Sequence, residues 1–109
     1  LRLGDLTVVL TAADLARHPD PSVRGATAQA LGAAPTAKSL PILEALLRDQ
    51  QPLPRLLSAR ALGKARSATL VPTLKKGLQD TDPAVRIAAA ASMYQSLSKP
   101  DKPGSARKG

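Results

Sequence analysis

Arg24, Arg55 and Arg86 stand thirty-one residues apart, at the same place in a pattern the chain writes repeatedly. Identical positions in stacked units line up in space, so three such guanidinium groups could form a ladder for anions. The alternative is internal pairing, for which Asp20, Asp49, Asp80 and Asp82 are available at the unit junctions. A repeated, partly buried charge is normally paired, so the expectation is a structural ladder. The other residues able to do chemistry point away from catalysis. His18 is the single histidine and cysteine is absent, which leaves no ligand set for zinc; His18 reads as a loop residue. General acid–base work needs two carboxylates converging with separated pKa values. The carboxylates here fall mostly at helix ends or unit junctions, where capping explains them. There is no Gly-rich phosphate loop and no nucleophile in a recognisable context. The expectation is a chain with no catalytic residue, metal or cofactor.

Composition bounds the partners. The 109 residues carry a formal charge of +8. Residues 99–109 hold Lys99, Lys102, Arg107 and Lys108 against Asp101, a net of +3, which leaves +5 for the body. An acidic protein surface, an anionic lipid surface and nucleic acid are all electrostatically plausible partners. With one Tyr and neither Phe nor Trp, the chain lacks the anchors that stack on single-stranded bases. No apolar run approaches the length of a membrane span. The missing cysteines exclude disulfides but do not identify the compartment. A cytoplasmic setting is favoured over export, which a chain beginning at Leu1 does not exclude.

The elements that must position these residues follow from the repeat. Residues 20–49 are one unit: Leu31-Gly32 returns as Leu62-Gly63, Pro41 as Pro72, Leu43 as Leu74, Leu47 as Leu78 and Asp49 as Asp80. Such self-similarity is the signature of a solenoid. Residues 5–17 place Leu6, Val9, Ala13 and Ala16 at helical spacing. Asp20-Pro21 opens the next helix by capping exposed N–H groups, with Pro where no donor is lost, and Asp82-Pro83 repeats the signal. Val23, Ala26, Ala30 and Leu31 are expected to form the core stripe of that helix, with Gly32, and later Gly63, ending its helix in a left-handed conformation. Ala37, Leu40, Leu43 and Leu47 form the stripe of the following helix. In the second unit the stripes are Leu57, Ala61 and Leu62, then Ala68, Val71, Leu74 and Leu78. Gln51-Pro52-Leu53-Pro54 replaces the capping motif there, so Pro54 should delay or tighten that helix start. Tyr94 replaces the third glycine, so the last helix should run a turn longer. Residues 98–109 lack the apolar content to offset ordering and read as a basic, mobile tail after a repeat domain over 1–97. Residues 1–3 correspond to 32–34, so the chain opens inside a turn and is expected to be cut from a longer array or covered at its ends by a larger assembly.

Asp20-Pro21-Ser22-Val23-Arg24, followed by Ala28, Ala30, Leu31 and Gly32 and then by Ala37, Leu40-Pro41, Leu43 and Leu47, resembles HEAT repeats of the short type also found in phycobilisome lyases. The resemblance covers roughly residues 5–96. It implies an all-α, right-handed α-α superhelix, with first helices on the convex side and second helices lining the concave side, used mainly to hold other proteins. Arginines at the ladder position in such arrays pair with junction carboxylates. Some relatives are enzymes, bilin lyases and alkylpurine DNA glycosylases among them, but the absence of Trp and Phe weakens the second. On the implied concave face the residues outside the core stripe include Lys38, Pro41, Ala45 and Arg48, then Thr69, Pro72, Lys76 and Gln79, with Lys75 beside them. Lys38, Pro41, Arg48, Pro72, Lys75 and Lys76 are thus the candidate binding residues. The face reads either as a solvated lysine-rich surface or as the docking site for an acidic partner chain. The reading is a non-catalytic interaction scaffold using that face or its end faces, with a nucleic-acid-binding module second and a bilin-lyase-like enzyme third.

Overall fold

The fold is taken from a computed structural model, which describes residues 11–98. Among these the secondary structure is helical, with no strand. A helical stretch over 11–15 leads into α1 (Pro21–Ala33), α2 (Leu40–Leu46), α3 (Pro52–Gly63), a 3₁₀ turn (Ala68–Leu70), α4 (Val71–Gly77) and α5 (Pro83–Leu97). The long helices start thirty-one residues apart, each with a proline in its first turn, where the N–H it lacks has no intrahelical partner to lose. Asp20 accepts from the Ser22 N–H at 2.8 Å and Asp82 from the Ala84 N–H at 2.8 Å, so both caps form. Gln51 makes no side-chain cap, yet α3 still begins at Pro52. The expected delay does not occur, because Pro52 and Pro54 both fall within the first turn, where their φ suits a helix and the missing donors are spare.

α1, α3 and α5 pack side by side, α2 lies against α1 and α3, and α4 lies against α5. The core runs between the two rows: Leu43, Leu62, Leu74 and Ala59 are fully buried, joined by Ala28, Leu31, Leu46, Leu47 and Leu70. This corrects the stripe read for α1. Leu31 is buried as expected, but Ala26 and Ala30 are exposed, and Ala28 faces the core instead. The alanine-rich helix offers apolar residues on more than one face, so spacing alone does not phase it. Ala37 and Ala68 are likewise exposed, because each precedes its short helix proper, and Leu46 and Leu70 take core places. The exposed Ser22, Ala26 and Ala30 occupy, one repeat earlier, the positions of Leu53, Leu57 and Ala61, the face that α3 turns toward α1. Residues 1–10, including Leu6 and Val9, and 99–109, the basic tail, lie outside the described residues.

Gly32 and Gly63 do not end their helices in the left-handed region: Gly32 is the second-last residue of α1 and Gly63 the last of α3, and neither has a positive φ in that region. Their reason is contact. A Cβ on Gly32 would sit 2.6 Å from the Cβ and 2.9 Å from the Cα of Ala61, and one on Gly63 would sit 2.7 Å from the Cβ of Ser92. Glycine is what lets adjacent long helices touch along their backbones. Ser92 Oγ uses that closeness, donating to the Ala59 carbonyl at 2.6 Å. Among the described non-glycine residues, the one in the left-handed region is Arg66, at φ 50°, three residues past Gly63.

Candidate docking face on the short helices

The arginine ladder fixes where the short helices end. In all three units Nη1 donates to the carbonyl six residues earlier: Arg24 to His18 at 2.8 Å, Arg55 to Asp49 at 2.8 Å and Arg86 to Asp80 at 2.7 Å. With the guanidinium so held, its Nε and Nη2 edge points at the end of the short helix. Arg24 grips Asp49 there at 2.7 and 2.9 Å, and Arg55 grips Asp80 at 2.9 and 3.1 Å, both bidentate. Asp49 is held below the usual carboxylate range, first by the Arg24 hydrogen bonds and then by the Gln51 N–H, against the opposing effect of burial. Burial alone would push Asp80 up, but the Asp82 N–H and the Arg55 guanidinium outweigh it and leave Asp80 lowered too. Arg24 is correspondingly raised by its bond to Asp49. At the same position in the first unit stands His18, whose Nδ1 accepts from the Asp20 N–H at 3.0 Å, as Asp49 and Asp80 accept from Gln51 and Asp82 at 2.9 Å.

Two successive grooves open between neighbouring short elements, related by the thirty-one-residue repeat. The first, of 270 Å³, is lined by Ala13, Ala16, Arg17, Pro41, Ala45 and Asp49 among others. The second, of 370 Å³, is lined by Glu44, Leu47, Arg48, Thr73, Lys76 and Asp80, with Arg55 at its wall. Arg17 and Arg48 are repeat equivalents, so each groove carries an exposed arginine in the same place. Of the six candidate residues, Arg48 and Lys76 meet in the second groove and Pro41 lines the first. Lys38, in the turn before α2, and Pro72 and Lys75 on α4 are exposed but line neither. Arg48 and Lys76 have no ion pair among the described residues, whereas Arg55 is neutralised by Asp80.

Spacing alone missed two features of the second groove. Glu44 crosses it to accept from Thr73 Oγ1 at 3.3 Å, tying α2 to α4 and placing one carboxylate among the cations. The Arg55–Asp80 pair forms part of its wall, although the sequence assigned it only to the junction. Subtracting the core stripe could have found Glu44, since it is the repeat equivalent of Lys75. Cations are not confined to this face: exposed Arg60 and Lys64 border two further grooves between the long helices. Among the described residues no group of three or more His, Cys, Asp or Glu side chains could hold a metal, and no helix is long and apolar enough to cross a membrane.

Comparison with curated proteins gives no match. A family model described as HEAT repeats matches residues 2–55 and 41–106, in agreement with paired helices recurring every thirty-one residues. This chain therefore belongs to the HEAT-repeat family.

Proposed function

We propose that this chain is a non-catalytic scaffold that holds another protein chain, and that the row of grooves on its short helices, the concave face of a right-handed superhelix of short repeats, receives an acidic segment of that partner. The observation that carries the reading is the recurrence of an exposed arginine at each groove, Arg17 and Arg48, joined in the second by Lys76, which has no ion pair among the described residues. HEAT repeats generally mediate protein–protein contact, which supports a protein partner. A preformed wall orders little on binding, and its cations raise the encounter rate with acidic chains. Among the described residues, five of the six carboxylates have structural work that accounts for them: Asp20 and Asp82 cap helices, Asp49 and Asp80 pair with arginines, and Glu44 bonds Thr73. That supports a role without catalysis, and against a bilin-lyase-like activity.

Arg60 and Lys64 on the opposite face support a second reading, a nucleic-acid-binding module whose cations are spread rather than gathered. Binding of a labelled ten-residue glutamate-rich peptide, with duplex DNA as competitor, separates the two. The scaffold reading expects charge reversal at Lys38, Arg48, Lys75 and Lys76 together to abolish peptide binding at unchanged helicity, and Arg60→Glu to matter little. Equal loss from Arg60→Glu, or DNA displacing the peptide with a salt slope of about −0.9 per phosphate neutralised, would favour nucleic acid.

A further inference from the structure

The two grooves between the short elements share their arginine, Arg17 in the first and Arg48 in the second, but not the chemistry around it. Ala13, Ile42 and Ala45 line the first groove, and their equivalents one repeat later, Glu44, Thr73 and Lys76, line the second. Three aliphatic side chains thus stand where the other groove has a carboxylate, a hydroxyl and an ammonium. Ala13 and Ile42 are half-buried, so the first groove offers apolar wall to a side chain that enters it. In the second, Glu44 accepts from Thr73 Oγ1 at 3.3 Å and the Arg55–Asp80 pair is internally neutral. Arg48 and Lys76 are exposed there and have no ion pair among the described residues.

We infer that the acidic segment received on this face is extended and carries two different side chains three residues apart, an aliphatic one for the first groove and a carboxylate for the second. The inference rests on the scaffold reading and deepens it. An aliphatic side chain gains by leaving water against Ala13, Ile42 and Ala45, whereas a carboxylate gains charge-assisted hydrogen bonds from Arg48 and Lys76. The spacing follows from the repeat. Neighbouring packed helices lie roughly 10 Å apart, so the grooves do too. A polyproline II segment rises about 3.1 Å per residue and returns to the same side every third residue, which matches one repeat, and self-repulsion favours extension in an acidic chain. At 270 and 370 Å³ the grooves admit single side chains, not a helix of about 10–12 Å diameter. The choice of occupant does not depend on where this chain begins or ends. In a solenoid each unit packs on its neighbours, so further units would lengthen the row of grooves and leave it open to a segment from outside the stack.

The test uses the full chain and ten-residue fluorescent peptides followed by anisotropy. Replacing one central glutamate of the glutamate-rich peptide by leucine should tighten binding about fivefold, the gain from a half-buried aliphatic side chain. In that leucine peptide, glutamine in place of the glutamates three residues to either side should weaken binding about fivefold. Glutamine two residues to either side, at the same net charge, should change it little. Ala45→Lys in the chain should erase the gain from leucine, and Lys76→Ala should erase the difference between the two glutamine peptides. Both positions are exposed, so circular dichroism should show unchanged helicity. Glu44→Gln should strengthen binding, because it removes a like charge beside the bound carboxylate. A leucine peptide that binds no tighter than its parent, equal losses from the two glutamine placements, a leucine gain that survives Ala45→Lys, or weaker binding to the Glu44→Gln chain would overturn the proposal. A parent glutamate-rich peptide that does not bind sinks the scaffold reading and this one together. A parent that binds while its leucine form gains nothing sinks this one alone.

Discussion

Replacing Gly32 by Ala should destabilise the fold, although Ala is the better helix former. Helix propensity alone favours Ala by about 1 kcal/mol. Against this, the added methyl would lie 2.6 Å from Ala61 Cβ and 2.9 Å from Ala61 Cα. The second is a backbone atom that cannot rotate away, so α1 and α3 must separate, and the cost falls in the upper part of the roughly 1–3 kcal/mol typical of overpacking. The net loss is about 1–2 kcal/mol, or roughly 5–15 °C in the thermal midpoint of a domain this size. Urea unfolding followed by circular dichroism measures it. Three comparisons identify the cause. Gly25→Ala meets only leucine side chains, Leu57 Cδ1 at 3.0 Å and Leu53 Cγ at 3.3 Å, and should cost less. Ala61→Gly added to Gly32→Ala should restore part of the loss by removing the Cβ–Cβ contact. Gly32→Asn should cost more than Gly32→Ala, whereas a left-handed turn would tolerate Asn. A Gly32→Asn variant as stable as the parent, or a stabilising Gly32→Ala, would refute the close-approach reasoning.

Leu43→Ala and Leu74→Ala, at fully buried equivalent positions, should each cost about 2–5 kcal/mol in the same denaturation assay. Asp49 and Asp80 are held below the ordinary aspartate range, so the stability they contribute is fully present above their unfolded value of about 3.9 and is lost as pH falls through the lower folded values. Unfolding midpoints between pH 7 and pH 2 should show that loss, and the double Asp49→Asn, Asp80→Asn variant should flatten it. Arg66→Gly should raise the melting temperature, because a non-glycine residue at φ 50° carries about 1–2 kcal/mol of strain that glycine relieves.

The repeat was readable because thirty-one-residue spacing recurs in unlike residues at once: the Asp-Pro caps, the Leu-Gly pairs, the arginines and the leucines. One-dimensional periodicity carries that information, and the helix starts obey it even where Gln51 replaces the capping aspartate. Phase within an alanine-rich helix was not readable. Ala26, Ala28 and Ala30 differ in burial only because of what lies opposite each, and that is a property of the packed array. The same holds for Gly32, since a close approach to Ala61 and a left-handed turn both call for glycine, and only the neighbouring helix distinguishes them. Of the candidate face, the exposed cations were legible by subtraction from the core stripe. Their grouping was not, because the meeting of Arg48 and Lys76 in one groove depends on how α2 and α4 lie beside each other.

Titration of the ¹⁵N-labelled chain with the glutamate-rich peptide tests the central claim most directly, since it locates the contact without any variant. The account predicts saturable amide shifts concentrated at Arg17, Lys38, Arg48, Lys75 and Lys76 and in the two grooves between the short elements, with Arg60 and Lys64 unmoved. Shifts centred on Arg60 and Lys64, or spread evenly over the exposed cations of both faces, would contradict it.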